Sequence, residues 1–442
     1  MKQTLEKVVE DEIKFIELQF TDIFGALKSI DIPVEYLEDA IEKGVWFDGS
    51  SIRGFRRIKE SDMYLKPDLP SYAILPGDNG TKKTARFFCD VYSPDGTMFE
   101  GDPRAVLKRV VNEAKQMGYD FKVGPEIEFY LFQKKADGTI AVPEYDAGSY
   151  FDCPARDIGS NIRKEIMVAL KIFGIDSERA HHEVGAGQHE IGFKYGDPVI
   201  TADKVITLKN VIKSVAHKYG LIASFMPKPL FQKAGNGMHV HFSLFDKQGS
   251  PLFFDARDKN KLSSLAKQFI AGELAYVKEI CALSNPIVNS YKRLVVGYEA
   301  PIYICWGSKN RSALVRIPRY TVGRESSVRA ELRCPDTSAS PYLLFAAMLK
   351  IGLEGIKTKM DLMPELEYTI YDKSRGEIAR RGIDLLPESL DEAVGRFRQS
   401  KLMKDLLGES LFDNYACAKE KEAEEYRITI TDWEIGQYLE RC

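Results

Sequence analysis

Phe121-Lys122-Val123-Gly124-Pro125-Glu126-Ile127-Glu128-Phe129-Tyr130-Leu131-Phe132 is an apolar run interrupted by two glutamates. Its aromatic and β-branched content predicts a strand over residues 121–133. Side chains two apart on a strand share a face, roughly 7 Å apart, so Glu126 and Glu128 stand side by side. Two such carboxylates repel unless something positive sits between them or water surrounds them. A solvated face is one reading and a metal site the other. The flanking Phe121, Val123, Phe129 and Leu131 suggest burial on both faces and favour the metal.

Working outward, His181-His182-Glu183-Val184-Gly185-Ala186-Gly187-Gln188-His189-Glu190 holds three of the six histidines, with two carboxylates and glycines that permit a tight turn. A chance cluster on a loop is the bland reading; the composition favours a ligand-bearing turn. The run Gly235-Asn236-Gly237-Met238-His239-Val240-His241-Phe242-Ser243 puts His239 and His241 on one face of a strand that follows a glycine-rich loop. Either histidine alone reads as a core residue bonded to backbone. Five of six histidines in two short motifs point to function. Residues 311–333 contain six arginines (Arg311, Arg316, Arg319, Arg324, Arg329, Arg333) and no lysine. The planar guanidinium grips phosphate or carboxylate in a fork that lysine cannot form, and Arg293 upstream adds to this cationic surface. Glu126, Glu128, Glu183, Glu190 and Glu331 would together bring about five negative charges, which two or three divalent cations balance. Oxygen ligands with few histidines and no cysteine favour Mg²⁺ or Mn²⁺ over Zn²⁺. Such ions facing arginines describe phosphoryl transfer.

Residues 14–32 alternate as a β-hairpin, Pro33 opens a helix that Gly44 closes, and short strands follow at 73–75 and 85–92, a small α+β unit. Asp102 and Pro103 read as the cap and first position of a helix ending near Met117, which places a domain boundary between 102 and 103. Beyond it, strands at 121–133, 189–195, 221–227, 238–245 and 328–334 alternate with helices at 157–173, 201–219, 260–283 and 340–358. A charged helical segment follows residue 387. The chain has 442 residues, 62 basic and 65 acidic, for a net charge of −3. That excludes a global basic field for nucleic acid. With 44% apolar residues it also excludes a disordered tail or a disulfide mini-scaffold. Seven scattered cysteines, none spaced C-x-x-C, predict reduced thiols. The N-terminus lacks a signal-peptide core, and the longest apolar run, around Tyr342 to Leu349, is too short to span a membrane. A soluble cytoplasmic protein is expected. No P-loop, G-x-S-x-G, H-E-x-x-H or kinase motif is present.

The motifs Phe47-Asp48-Gly49-Ser50-Ser51, Glu60-Ser61-Asp62-Met63, Val123-Gly124-Pro125-Glu126-x-Glu128-Phe129, His182-Glu183-Val184…Gly187-Gln188-x-Glu190 and Gly237-Met238-His239-x-His241 resemble those of type I glutamine synthetase. So do Asn289-Ser290-Tyr291-Lys292-Arg293-Leu294, Gly297-Tyr298-Glu299-Ala300-Pro301 and Asn310-Arg311-Ser312…Arg316-Ile317-Pro318. The ordered series runs from about residue 15 to 340. The resemblance implies an α+β fold: a β-grasp-like domain (1–102), then a catalytic domain (103–442) with a curved antiparallel sheet flanked by helices and a helical C-terminal segment. It implies ATP, L-glutamate and ammonium as substrates, Mg²⁺ or Mn²⁺ as cofactor, and a homododecamer of two stacked hexamers with sites shared between neighbours. By the same resemblance, Glu128, Glu183 and Glu190 hold one metal, and Glu126, His239 and Glu331 the other. Glu178, His241, Ser243, Arg311 and Arg316 take the nucleotide. Gly235, Arg293, Arg311 and Arg333 position glutamate, and Asp48, Tyr150, Glu183 and Glu299 form the ammonium site. Asp48 is the candidate base, and Asp48, Glu299 and Arg311 are the catalytic group, with Glu299 on a loop that excludes water. Ala234 departs from the asparagine frequent in the family. Tyr371 falls near a tyrosine that some members adenylylate, but its surroundings do not match. Gly54-Phe55-Arg56-Arg57-Ile58 matches the feedback region of the shorter, non-adenylylated subtype, so Arg57 is expected to read glutamine. The resemblance leaves a PII-type regulator open as a partner. The competing readings are a ligase joining glutamate to a larger amine and a catalytically dead relative; the presence of all six metal ligands opposes the second.

Overall fold

The computed structural model describes residues 1–442 except 53, 55–61, 77–81, 144, 145, 147, 154–156, 158, 297–299, 311, 368–376 and 379–381. Among the described residues the N-terminal unit is a six-stranded sheet with the path β2-β1-β6-β4-β3: β1 Phe15–Thr21, β2 Leu27–Pro33, β3 Val45–Asp48, β4 Asp62–Pro67 and β6 Thr84–Tyr92, with β5 Ala73–Ile74 paired to β6. The β1–β2 hairpin is antiparallel as expected, and β1 runs parallel to β6 across the middle of this β-grasp-like sheet. Two expectations shift. Pro33 ends β2, and after a 3₁₀ turn the helix α2 begins at Leu37 and runs to Glu42. Gly44 follows it in the left-handed region at φ 78°. The charged N-terminus is itself a helix, α1 Lys2–Glu10, which buries only Val8.

The second sheet has nine strands among the described residues, with the path β13-β14-β15-β12-β7-β10-β9. They are β7 Asp120–Lys134, β9 Ser177–His182, β10 Gln188–Phe193, β12 Met238–Phe245, β13 Tyr303–Gly307, β14 Ala313–Arg316 and β15 Ala330–Leu332, with β8 Ile140–Ala141 and β11 Leu221–Ser224 also on β7. It is mixed rather than wholly antiparallel, because β13 pairs with β14 in parallel. Helices α3 Pro103–Gln116, α5 Pro198–Lys218 and α6 Ser264–Ser284 pack on it and α8 Pro341–Lys357 packs across those three helices, with α4 Gly159–Ile172 beside β9 and a single-turn α7 Ser290–Arg293. Asp102 caps α3 by accepting from the Arg104 amide at 3.0 Å, and Asp197 caps α5 through Val199 at 3.0 Å. Further helices run from Leu390 to Tyr438. Among the described residues, no helix is long and apolar enough to cross a membrane.

The two units meet at Arg104, on α3. Its buried guanidinium donates to Asp90 at 2.6 Å and Asp68 at 2.5 Å in the N-terminal unit, and to Asp203 on α5 at 3.1 and 2.9 Å. Tyr342 donates to Asp203 at 2.6 Å, and Lys108 to Asp90 at 2.7 Å.

Candidate active site

The registers of six strands set the site. His239 on β12 faces Glu126 on β7, which faces Gly192 on β10, which faces Arg179 on β9. One row over, Glu128 faces Glu190, and Glu190 faces His181. One row the other way, Arg316, Glu331, His241 and Gly124 align across β14, β15, β12 and β7. Period-two alternation therefore gathers these polar groups on one face, while Ile127, Phe129, Ile191, Val240 and Phe242 are buried.

Two carboxylate centres result. In the first, His241 Nε2 lies 3.0 Å from Glu126 Oε1, and His239 Nδ1 lies 3.8 Å from Glu126 Oε2 and 3.7 Å from Glu331 Oε1. Glu331 accepts from Arg316 at 2.9 Å and pairs with Arg333 at 3.2 Å. Ligating atoms of Glu126, His241 and Glu331 lie within 4.8 Å of one another, so the structure adds His241 to a set assigned by resemblance to His239. In the second, His181 Nε2 is 2.8 Å from Glu183 Oε1, and His181, Glu183 and Glu190 form another such group. Glu128 lies alongside, accepting from the Gly237 amide at 2.7 Å.

The centres differ electrically. Burial raises Glu331, but His241, His239, Arg333 and Arg316 outweigh it and hold its carboxyl at about 2. Burial drives His241 down to about 3 and lowers His239, so both imidazoles are neutral and able to bind metal. Burial, with Glu128 and Glu183 adding repulsion, pushes Glu190 up to about 8; burial also raises Glu128. Glu190 Oε1 is buried with no hydrogen-bond partner. A buried carboxylate oxygen left unbonded among like charges is what a cation would satisfy. The donor set of carboxylates and neutral imidazoles thus fits divalent metal ions.

Beside the first centre is a cavity of about 350 Å³, lined by Glu126, Glu178, Arg179, His241, Ser243 and Arg329 among others. It brings together three expected nucleotide residues, Glu178, His241 and Ser243. Its floor includes Gly124 and Gly192. Arg316 instead bonds Glu331. Two arginines that the sequence reading did not assign to it take part: Arg179, ion-paired to Glu126, and Arg329, which donates to His241 Nδ1 at 3.2 Å. On the other side, buried Arg293 donates to the carbonyls of Cys334 at 2.7 Å and Arg333 at 3.4 Å. A Cβ at Gly237 would stand 2.6 Å from Arg293 Nη2 and 2.9 Å from His239 Nε2, and one at Gly235 would stand 2.9 Å from Arg293 Cγ. Glycine is required there for close approach. Tyr150 packs edge-on to His181 at 5.5 Å. Asp48 lies at the end of β3 in the other sheet, accepting from the Ser50 amide at 2.8 Å. Glu299, Arg311, Arg57 and Tyr371 lie outside the described residues.

Known proteins match this chain along its whole length. The family model described as "Glutamine synthetase, catalytic domain" matches residues 100–438, and the model "Glutamine synthetase, beta-Grasp domain" matches 12–94. A glutamine synthetase of Clostridium saccharobutylicum is 49% identical over 100% of this chain and 99% of its own. One of Methanosarcina mazei is 49% identical over 99% of this chain and 97% of its own. Among solved structures, a GmaS/ADP complex superposes with a TM-score of 0.90 at 31% identity, covering 100% of both chains. The fold is also that of a Plasmodium falciparum glutamine synthetase, at a TM-score of 0.88 and 23% identity over 99% of this chain and 98% of that one.

Proposed function

The chain belongs to the glutamine synthetase family, and from that premise we propose how its residues divide the work of ATP-dependent glutamine formation. The reaction is L-glutamate + NH₄⁺ + ATP → L-glutamine + ADP + phosphate. The observation that carries the assignment is the single sheet face on which four glutamates and two neutral histidines adjoin the arginine-lined cavity.

The divalent metals that the family uses are Mg²⁺ or Mn²⁺ here, two or three per site. Glu126, His239 and Glu331, with His241 beside them, hold one, and Glu128, Glu183 and Glu190 another. Bound there, the ions supply charge neutralisation and orientation for the nucleotide phosphates. Glu178, His241 and Ser243 line the nucleotide cavity, with Arg316 and Arg311 toward the phosphates; ADP in the GmaS complex supports a nucleotide in this fold. Arg293 and Arg333 grip the glutamate carboxylate beside Gly235, with Arg311. A carboxylate is a poor electrophile, so phosphorylation of the glutamate side chain to γ-glutamyl phosphate supplies the leaving group. Ammonium must lose a proton before it attacks; Asp48 takes it in a site completed by Tyr150, Glu183 and Glu299. Keeping water from the acyl phosphate is the further role that the resemblance gives to Glu299.

Asp48 lies in the N-terminal sheet, which fits a site shared between subunits of a dodecamer. The exposed Ile428, Ile430, Trp433, Ile435, Tyr438 and Leu439 give the C-terminus an apolar surface suited to such an assembly. The domain division at 102/103 rests on the Asp102 cap. Seven free cysteines support a cytoplasmic setting. The shorter subtype, feedback through Arg57 and a PII-type regulator are readings of the same resemblance.

The test is γ-glutamyl hydroxamate formation with hydroxylamine, ATP and Mg²⁺ or Mn²⁺, followed by ammonium-dependent ADP release. Absence of both refutes the assignment. The 31% identity to GmaS keeps one alternative, a ligase for a larger amine. A larger amine outcompeting ammonium in kcat/KM would establish it.

A further inference from the structure

Behind the metal-binding face, β9 and β10 carry a second set of polar groups that the proposed chemistry does not use. His182 and His189 face one another in register, with ring centroids 5.1 Å apart, and neither is exposed. They alternate with His181 and Glu190, so they point to the opposite side of the hairpin. His182 Nδ1 lies 2.6 Å from the Glu183 carbonyl and Nε2 lies 2.8 Å from Asp146 Oδ1. Both partners only accept, so both His182 nitrogens donate and the ring is an imidazolium. His189 Nδ1 lies 2.9 Å from Arg163 Nη1, which only donates, so Nδ1 accepts and the proton sits on Nε2. That nitrogen faces Asp146 Oδ2 at 3.7 Å. Arg163 also pairs with Asp157. Asp146 and Asp157 are thus balanced by His182 and Arg163. The charges of the group cancel, although Asp157 Oδ1 and His189 Nε2 have no hydrogen-bond partner among the described residues and Asp157, His182 and His189 have a spacing that could hold a cation.

This group reaches the front face. A Cβ at Gly148 would stand 2.5 Å from His182 Nε2, so Asp146 and Gly148 lie tight against the hairpin's back. A few residues on, Tyr150 and Phe151 lie on its front, with Phe151 4.6 Å from the His181 ring. The Phe151 amide donates to the His182 carbonyl at 3.1 Å, and its φ is 60°, a strained value for a non-glycine residue. The hairpin is gripped from both sides by one stretch of chain.

We propose that Asp146, through His182, is a positioning residue that fixes Glu183 and the Tyr150–Phe151 pair in one geometry and so sets the affinity for the amine substrate. This rests on the assignment of Glu183 and Tyr150 to the ammonium site. Partners behind metal and substrate ligands are worth roughly 10–100-fold when removed. Asp146→Ala should therefore raise KM for ammonium at least about tenfold, with KM for ATP within about twofold. Asp146→Asn should restore most of the loss, because a flipped amide can donate to the Nε2 of a neutral His182. The KM split and the rescue are what a merely structural residue would not give: a general loss of packing lowers activity toward every substrate together. Unchanged ammonium KM in both variants, or a parallel rise in KM for ATP, overturns the proposal. So does metal analysis of the wild type showing a transition-metal equivalent that Asp157→Ala loses. The wild-type protein separates the two ideas: if it makes no glutamine, the assignment of function fails; if it does and Asp146→Ala matches it, only the positioning role fails.

Discussion

Replacing Arg104 by methionine removes the charge that ties the two units together while keeping much of the side chain's volume. Four charge-assisted bonds are lost at once, two of them to Asp203. The three carboxylates fare differently. Asp90 and Asp68 keep Lys108, at 2.7 and 3.5 Å, whereas Asp203 keeps the neutral Tyr342 hydroxyl and the electrostatic influence of buried Arg86, with which no ion pair is formed. The cost therefore concentrates on Asp203, a buried carboxylate left without a hydrogen-bonded cation; about 3–5 kcal/mol is the upper range, because Arg86 still offsets part of its charge. Against a typical stability of about 5–15 kcal/mol for a domain, that is a large fraction. Urea denaturation followed by tryptophan fluorescence reads it: exposed Trp46 reports the N-terminal unit and buried Trp306 the catalytic one. The transition should move to lower urea and lose cooperativity between the units. Adding Asp203→Asn should recover at least about 1 kcal/mol, because the stranded charge is gone. A shift below about 1 kcal/mol in Arg104→Met, or no recovery in the double variant, would show that the network is not what joins the units.

Glu190, raised to about 8 by burial and its acidic neighbours, is protonated at neutral pH in the metal-free protein, so metal binding must release a proton. The apparent Kd for Mn²⁺ should fall about tenfold per pH unit between pH 6 and 7.5 and flatten above about 8; calorimetry in two buffers of different ionisation enthalpy checks the proton release, and a pH-independent Kd refutes it. Gly237→Ala should displace Arg293 and His239, raising KM for glutamate at least about tenfold without unfolding, as circular dichroism would verify. Subunits carrying Asp48→Ala and subunits carrying Arg333→Ala should regain activity when co-assembled; inactive mixed oligomers count against a shared site.

The carboxylate–histidine face was legible because strand alternation is a local rule: Glu126 with Glu128 and His239 with His241 obey it within their own segments. What pairs with what was not, because register is a tertiary property. Nothing in residues 177–182, Ser-Glu-Arg-Ala-His-His, has the apolar alternation of a strand, so β9 and with it Arg179 went unread. The parallel β13–β14 pair and α1 lacked signals for different reasons: the first depends on distant partners, and the second is short and mostly polar. The histidine-rich segment was read as one ligand-bearing turn. Alternation within the hairpin instead divides it, sending His181 and Glu190 to one side and His182 and His189 to the other.

Gly124 and Gly192 both line the arginine-rich cavity, and they differ in how much room surrounds them. A methyl group at Gly124 would press on Tyr195 at 3.2 Å, whereas one at Gly192 would meet nothing nearer than Arg179 at 3.8 Å. At Gly192 the space belongs to the guest rather than to the scaffold. Side-chain size there can therefore be stepped upward, from alanine to serine to valine, to narrow what the pocket admits while the folded protein scarcely registers the change. That gives protein engineers a dial for what the cavity admits, at a position whose strand neighbours are Glu126 and Arg179, so each step in size is also read by the first carboxylate centre.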